Sequence, residues 1–300
     1  MNNMKFSGML DGVVMDRMAR DYEFTMPSKH FHKEFEIYYL LEGSRYYFIG
    51  SDTYLVKQGS LVIIDSLQIH KTGSAGNPYH DRFLVEISDG PFNAFFEAVC
   101  GFPLASYFSK YNGPIELNDQ EQKYVESLLS SMMEEMNAKQ AQYEKMVMMK
   151  LTELMIFAFR CKAGGPGDFL PVRADTEKHK IVHQVANYIV LNYATVSSLE
   201  ELAKHFFINK SYLSRIFGEV TSFTVQEYIN IHRIKRAQEM LADVRYNISE
   251  IAEAIGYESI TYFERVFKKY TETSPLKYRK KVLLVRQKAR ERKAEENLKA

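Results

Sequence analysis

The hydrophobic positions of the chain change period along its length. From Phe35 to about Ile87, short apolar or aromatic runs are broken by turn residues. Strand candidates are Phe35–Leu41, Arg45–Ile49, Tyr54–Val56, Leu61–Ile64, Ile69–Thr72 and Arg82–Ile87, with breaks at Gly43, Gly50-Ser51-Asp52, Gly59 and Gly73-Ser74-Ala75-Gly76. Regular short strands with glycine turns predict a small β-barrel or sandwich, of a size that can enclose one small ligand. Over 118–161 the period becomes helical. Asn118 or Asp119 can cap a helix with the stripe Tyr124, Val125, Leu128, Leu129, Met132, Met133 and Met136. A second helix carries Met146, Val147, Leu151, Leu154, Met155 and Ala158. The methionines read as gap-filling core rather than a cofactor box. Ala163-Gly164-Gly165-Pro166-Gly167, continuing into Asp168-Phe169-Leu170-Pro171, ends any helix and marks a linker.

Beyond the linker the pattern repeats. Leu199-Glu200-Glu201-Leu202-Ala203 is echoed by Ile248-Ser249-Glu250-Ile251-Ala252, and Tyr212-Leu213-Ser214-Arg215-Ile216-Phe217 by Tyr262-Phe263-Glu264-Arg265-Val266-Phe267. Thr224 matches Ser274 and Tyr228 matches Tyr278. The offset grows by one between the paired segments, so the second copy holds one extra residue in its turn, near Gly256. Each copy reads as a short amphipathic helix, a turn and a second helix, with Ser198 and Asn247 as caps. Between them Val225, Tyr228, Ile229, His232, Ala237, Met240 and Leu241 fit one long helix. In a helix-turn-helix unit the second helix enters the major groove.

Composition narrows the class. At 300 residues, with 46% hydrophobic and 26% charged positions, the chain fits a two-domain globular protein. No run approaches the ~18 apolar residues of a membrane span. The N-terminal residues lack a signal-peptide pattern, and Cys100 and Cys161 form no disulfide framework, so a cytoplasmic location is expected. The net charge of +1 divides into −6 for residues 1–176 and +7 for residues 177–300. A basic C-terminal half suits a polyanion, though a solvated basic surface would give the same sum.

The residues at this point resemble the AraC/XylS transcription regulators. The likeness covers roughly 177–280 and rests on Ile251-Ala252-Glu253-Ala254-Ile255-Gly256-Tyr257, on Tyr262 to Lys269 and on Ser274-Pro275-Leu276-Lys277-Tyr278-Arg279. It implies an α+β multidomain chain. Its parts are a cupin-like effector-sensing β-barrel (1–115), a helical hairpin that supports dimerisation or packs on the barrel (116–162), a linker (163–176), an all-α seven-helix DNA-binding domain with two helix-turn-helix units (177–280) and a charged helical tail (281–300). Leu213, Ile216 and Phe217 form one buried stripe, with Tyr212 at its edge, leaving Lys210, Ser211, Ser214 and Arg215 outside. Burying Phe263, Val266 and Phe267 likewise presents Ser259, Thr261, Glu264 and Arg265. By resemblance, Ser211, Ser214, Arg215, Thr261, Glu264 and Arg265 face bases, and Lys210, Lys268, Lys269, Arg279 and Lys280 act as phosphate clamps. The family often places glycine after each recognition helix, where this chain has Ser222 and Thr273.

His30-Phe31-His32, with Glu36 and Gly43 following, and Gly59 with His70 eleven residues on, resemble the two cupin motifs. In those motifs two His, a Glu and a further His bind a metal. Phe24 stands where the first motif begins with Gly, and Asp65 and Leu67 replace the Pro and Gly of the second. AraC-like regulators commonly keep this skeleton while holding an organic effector without metal. The expectation is therefore no cofactor and an effector pocket of His32, Glu36, Tyr38, His70 and His80, with a metal at His30, His32, Glu36 and His70 as the alternative. No phosphate loop or nucleophile elbow supports an enzyme. The leading function is a DNA-binding transcription regulator that senses a small molecule. The implied partners are double-stranded DNA, an effector for which a carbohydrate is the favoured class, a second copy of the chain and RNA polymerase, with no membrane. The alternatives are a metal-dependent cupin enzyme fused to a DNA-binding module, and an AraC-type regulator that needs no ligand.

Overall fold

The computed structural model describes residues 2–24, 32–66, 68–88, 90–164 and 177–284. His30, in the alternative metal set, lies outside them, as do most of the linker and the tail beyond residue 284. Contacts divide the chain into two compact units, with the border between His183 and Gln184.

The first unit contains strands β1 (Asn2–Leu10), β2 (Val13–Arg20), β3 (Phe35–Ile49), β4 (Asp52–Lys57), β5 (Leu61–Ile64), β6 (His70–Ser74), β7 (His80–Ile87) and β8 (Gly113–Ile115). Its helices are α1 (Pro91–Cys100), α2 (Leu104–Tyr111), α3 (Asp119–Ala138) and α4 (Tyr143–Gly164). The main ladder runs β1-β2-β7-β3-β5-β8, every pair antiparallel. Strand β3 organises the unit. Its first half pairs with β5 and β7, and its second half, Ser44 to Ile49, pairs with β4 and β6. Gly43 does not interrupt β3 as expected; at φ +97 it brings the backbone so close to β7 that a Cβ would lie 2.4 Å from the Tyr79 carbonyl oxygen. Two strands absent from the sequence reading, β1 and β2, meet at Asp11-Gly12, with Gly12 at φ +80.

Alternation along β3 sends side chains into two cores. Ile37 and Tyr39 join Leu61, Ile63, Val85 and Ile87 in one cluster with the buried stripes of α3 and α4. Tyr38 and Leu40 join Tyr47, Ile49, Val56, Val62 and Ile64 in another, which links the two halves of the β3 ladder. Asn118 caps α3 in a capping box with Glu121. Val125, Leu128, Leu129, Met132 and Met136 of α3 and Val147, Leu151, Leu154, Met155 and Ala158 of α4 are buried, so both stripes pack on the sheet. Tyr124 and Met146, expected in those stripes, are exposed.

In the second unit, the end of α5 (Glu177–Asn192) is followed by α6 (Leu199–His205), α7 (Lys210–Thr221), α8 (Val225–Leu241), α9 (Ile248–Ala254), α10 (Ile260–Thr271) and a seventh helix, α11, over 275–284. Ser198 and Asn247 cap α6 and α9 as predicted, and Thr224 with Glu227 forms a capping box on α8. The turns refine the repeat. Phe207 (φ +54) and Gly256 (φ +86) are the equivalent left-handed residues. Asn209 and Ser259 are the equivalent caps, each accepting bonds from the first turn of the next helix. The extra residue is thus Glu258, just past Gly256. The left-handed residues after the recognition helices are Ser222 and Glu272, not Thr273.

Candidate effector pocket and nucleic-acid interface

The interior between the two halves of the β3 ladder is polar at its ends. Glu36, on the same face of β3 as Tyr38 and Leu40, is 1% exposed. Its Oε2 lies 3.2 Å from His70 Nε2 and 3.4 Å from His32 Nε2. The Tyr47 hydroxyl donates to Glu36 Oε1 at 2.8 Å. His70 reaches this position because β6 pairs with β3, setting His70 opposite Ile49. The His70 Nδ1 lies 2.9 Å from the Gln68 carbonyl, an acceptor only, so Nδ1 donates there and Nε2 faces Glu36. Although burial opposes ionisation, His70 and His32 hold the Glu36 carboxyl well below its usual range. Glu36 likewise outweighs burial at His32 and raises its pKa above 6.5. Burial, with the Glu36 charge behind it, pushes the Tyr47 phenol well up. Tyr38 packs edge-on to Tyr47, ring centroids 5.3 Å apart, and burial lifts it to about 12. Both hydroxyls stay protonated at neutral pH; that of Tyr47 is spent on Glu36 and can accept from a ligand, while that of Tyr38 can donate to one.

Of the expected pocket residues, His32, Glu36 and His70 converge, with Tyr38 beyond them against Tyr47. His80 stands apart, at the opposite end with Arg20. Its Nε2 is 3.5 Å from Arg20 Nη1, and its Nδ1 donates to the Pro78 carbonyl at 3.2 Å. The sequence reading missed Tyr47, Arg20, Arg45 and Arg82. Tyr47 was not legible, because the sequence breaks the strand at Gly43 and only the register shift in β3 between Leu40 and Glu42 brings it to the face of Glu36; the arginines were not either, because their inward placement depends on strand pairing.

In the second unit α7 and α10 present matching faces. Leu213, Ile216 and Phe217 are buried, and so are Phe263, Val266 and Phe267. Ser211, Ser214, Arg215, Thr261, Glu264 and Arg265 are all exposed, with Lys210, Lys268, Lys269 and Lys280. Tyr212 and Tyr262, both exposed, lie under the guanidinium groups of Arg215 and Arg265 at 5.3 and 5.0 Å. Arg215 also pairs with Glu219 at 2.9 Å, where the second copy has Lys269. Lys210 lies 3.5 Å from Glu200. Arg279 is turned inward: Nε donates to Leu241 O at 3.3 Å and Nη2 to Tyr246 O at 2.7 Å, satisfying the C-terminal end of α8.

The same two parts of the chain match known families. Residues 14–86 match the AraC-like ligand binding domain, and residues 202–281 match a helix-turn-helix domain. The chain belongs to the AraC/XylS family. The msm operon regulatory protein of Streptococcus mutans is 34% identical over 101 residues, 34% of this chain and 36% of that protein, so the chain spans little more than a third of this relative's length. The melibiose operon regulatory protein of Escherichia coli is 23% identical over 273 residues, 85% and 84% of the two chains. Among solved structures, the C-terminal domain of AraT from Geobacillus stearothermophilus covers 35% of this AraC-type chain and 88% of its own, at 29% identity and TM-score 0.34. ToxT from Vibrio cholerae covers 89% and 97%, at 14% identity and TM-score 0.36. No described helix is long and apolar enough to cross a membrane.

Proposed function

We propose that the protein is a sequence-specific DNA-binding transcription regulator, not an enzyme, whose first unit holds a small-molecule effector. The observation that carries this reading is the matched pair of exposed faces on α7 and α10, each with an arginine braced on a tyrosine and flanked by hydroxyl side chains. Arginine can hold guanine bidentately, Ser and Thr can contact several base edges, and Glu264 can accept from cytosine. Lys268, Lys269 and Lys280 add phosphate contacts without sequence information. Two recognition helices in one chain read adjacent major-groove segments about one helical turn apart. The hydroxyl and carboxylate groups of Tyr38, Tyr47 and Glu36 suit a hydroxyl-rich effector. A carbohydrate is the class we favour, in keeping with the similarity to the melibiose operon regulatory protein. The exposed Tyr124, Met146 and Met149 on α3 and α4 fit pairing with a second copy, and promoter-bound regulators of this kind work on RNA polymerase. An effector alters DNA occupancy only by preferring one arrangement of the two units energetically.

Selection of random duplex DNA by the full chain tests the reading: enriched sites with two short elements a turn apart are expected, and no enrichment would remove it. Thermal unfolding against a panel of sugars tests the effector.

A second reading adds a divalent metal to the same pocket. The Nε2–Oε2 separations of 3.2 and 3.4 Å at Glu36 match the ~3.3 Å between donors of a tetrahedral ion with bonds of about 2.0–2.1 Å, and the donor atoms of His32, Glu36 and His70 lie within 4.8 Å of one another. The Gln68 carbonyl orients His70 as an outer partner orients a ligand. Elemental analysis of tag-free protein decides: stoichiometric metal supports this reading, and its absence after growth in metal-replete medium discards it.

A further inference from the structure

Opposite Glu36, three arginines from three strands enter the interior of the first unit. Pairing sets Arg20 of β2 against His80 of β7, and Arg82 of β7 between Met18 of β2 and Leu40 of β3. Paired residues share a face, so Arg20, His80, Arg82 and Leu40 all project to the side occupied by Tyr38. Arg45 comes from the second half of β3, opposite Ser74 of β6, and is 1% exposed. Its Nη2 donates to the Phe24 carbonyl and lies 3.5 Å from Thr72 Oγ1. Its Nη1 is buried with no hydrogen-bond partner, and among the described residues Arg45 makes no ion pair.

A buried guanidinium normally sits on a carboxylate, because charge taken out of water without a counter-charge is strongly disfavoured. Here the nearest strong influences on Arg45 after burial are two tyrosines and another arginine, Arg20. Arg82 is paired with Asp16. Arg20 lies 4.0 Å over the Phe24 ring, which Arg45 also faces at 5.8 Å. His80 adds no charge at neutral pH, since burial and then Arg45 bring it down to about 4; its Nε2 instead accepts from Arg20. Three guanidinium groups therefore enter this interior, Arg82 is the one paired with a carboxylate there, and Arg45 Nη1 has no acceptor.

We propose that Arg20, Arg45 and Arg82 form an anion subsite that binds an oxyanion, carboxylate or phosphate, carried by the effector. The oxyanion supplies the acceptor that Arg45 Nη1 lacks, in the geometry for which a guanidinium fork is suited. Tyr38 and Glu36 then meet the hydroxyl-bearing part of the same molecule, which makes the effector an acidic metabolite rather than a neutral one. This rests on the effector-binding reading of the first unit.

The test uses the full chain and two fragment probes, inorganic phosphate and acetate, each titrated against chloride at constant ionic strength and pH. The midpoint of the first unit's thermal transition is followed. A rise with phosphate or with acetate, beyond chloride, is expected, and whichever probe acts identifies the headgroup. Arg45→Met should raise the half-saturating concentration at least about tenfold, as loss of a charge-assisted hydrogen bond does. Arg20→Gln, at the half-exposed end of β2, should weaken the response in the same direction and covers the case in which Arg45→Met fails to fold. An unchanged half-saturation in a folded variant, or no oxyanion-specific rise in the parent chain, overturns the subsite. A rise with neutral sugars alone would overturn it while leaving the effector reading intact.

Discussion

Gly256 lies directly on the carbonyl of Ala194: a Cβ at Gly256 would sit 1.9 Å from that oxygen. The contact joins the turn of the second helix-turn-helix unit to the segment after α5, and Arg233 of α8 locks it. Arg233 Nε donates to Tyr193 O at 2.8 Å, and Nη2 donates to Val196 O at 3.0 Å and Ala194 O at 3.4 Å. The guanidinium lies 5.1 Å from the Tyr257 ring. Gly256→Ala must break this arrangement as well as strain a left-handed backbone. A loss of about 3 kcal/mol or more in the second unit is expected, read by urea unfolding of the full chain. A loss below about 1 kcal/mol would show that the segments separate at little cost.

The equivalent position of the first helix-turn-helix unit gives the opposite sign. Phe207 holds the same left-handed conformation with a large apolar side chain that is 96% exposed. It gains little from packing and bears the steric penalty that glycine avoids. Phe207→Gly should therefore stabilise the second unit by roughly 1 kcal/mol, reduced somewhat by the added freedom of the unfolded chain. A fall in the unfolding midpoint would mean that the exposed ring makes contacts of its own.

The α10 face separates readout from affinity. Arg265→Ala should lose about 1–3 kcal/mol of discrimination at a single base pair of a selected site. Equal weakening on selected and scrambled duplexes would remove Arg265 from base readout. Lys268→Ala should weaken binding to all sequences and lower the salt slope by about one. Arg279→Ala should instead act through folding, since its guanidinium ends α8: a drop in stability is expected before any change in salt dependence.

The helical unit was legible because its signal is local. Leu213, Ile216 and Phe217, repeated as Phe263, Val266 and Phe267, give burial at three- and four-residue spacing, and the caps Ser198, Asn247 and Thr224 are one turn from the groups they satisfy. Only the place of the inserted residue, Glu258, needed the backbone angles of Phe207 and Gly256. The His32/Glu36 pair was legible for the same reason, four residues separating Glu36 near the start of β3 from His32 just before it. His70 was recognised by resemblance, and its contact with Glu36 comes from the β3–β6 register. The arginine cluster was hidden, because Arg20, Arg45 and Arg82 are of a type usually found on surfaces. Their inward direction follows from β2 pairing with β7, β7 with β3 and the second half of β3 with β6, long-range choices that no short window contains. The Asp11-Gly12 turn did mark the β1–β2 hairpin, and from it the alternation Asp16, Met18, Arg20 could have placed one arginine on the face of Val14.

His232 makes the second unit sensitive to acid. It lies in α8 with its ring 4.8 Å from that of Tyr228, and burial, with Lys235 adding to it, lowers its pKa to about 4 from an ordinary 6.5. A histidine held neutral in the fold takes up its proton more readily when unfolded. Between about pH 6.5 and pH 4 the unfolded chain thus binds the extra proton, and stability falls as pH falls; above pH 6.5 the two states bind equally and the effect vanishes. From pH 7 to pH 5 the loss assigned to this group is about 2 kcal/mol. His232→Phe keeps an aromatic ring against Tyr228 and removes the titration, so its second-unit transition should lose about 2 kcal/mol less than the parent over that interval. Parallel pH profiles for the two chains, followed by urea unfolding, would show that His232 is protonated in the fold and that the acid sensitivity arises elsewhere.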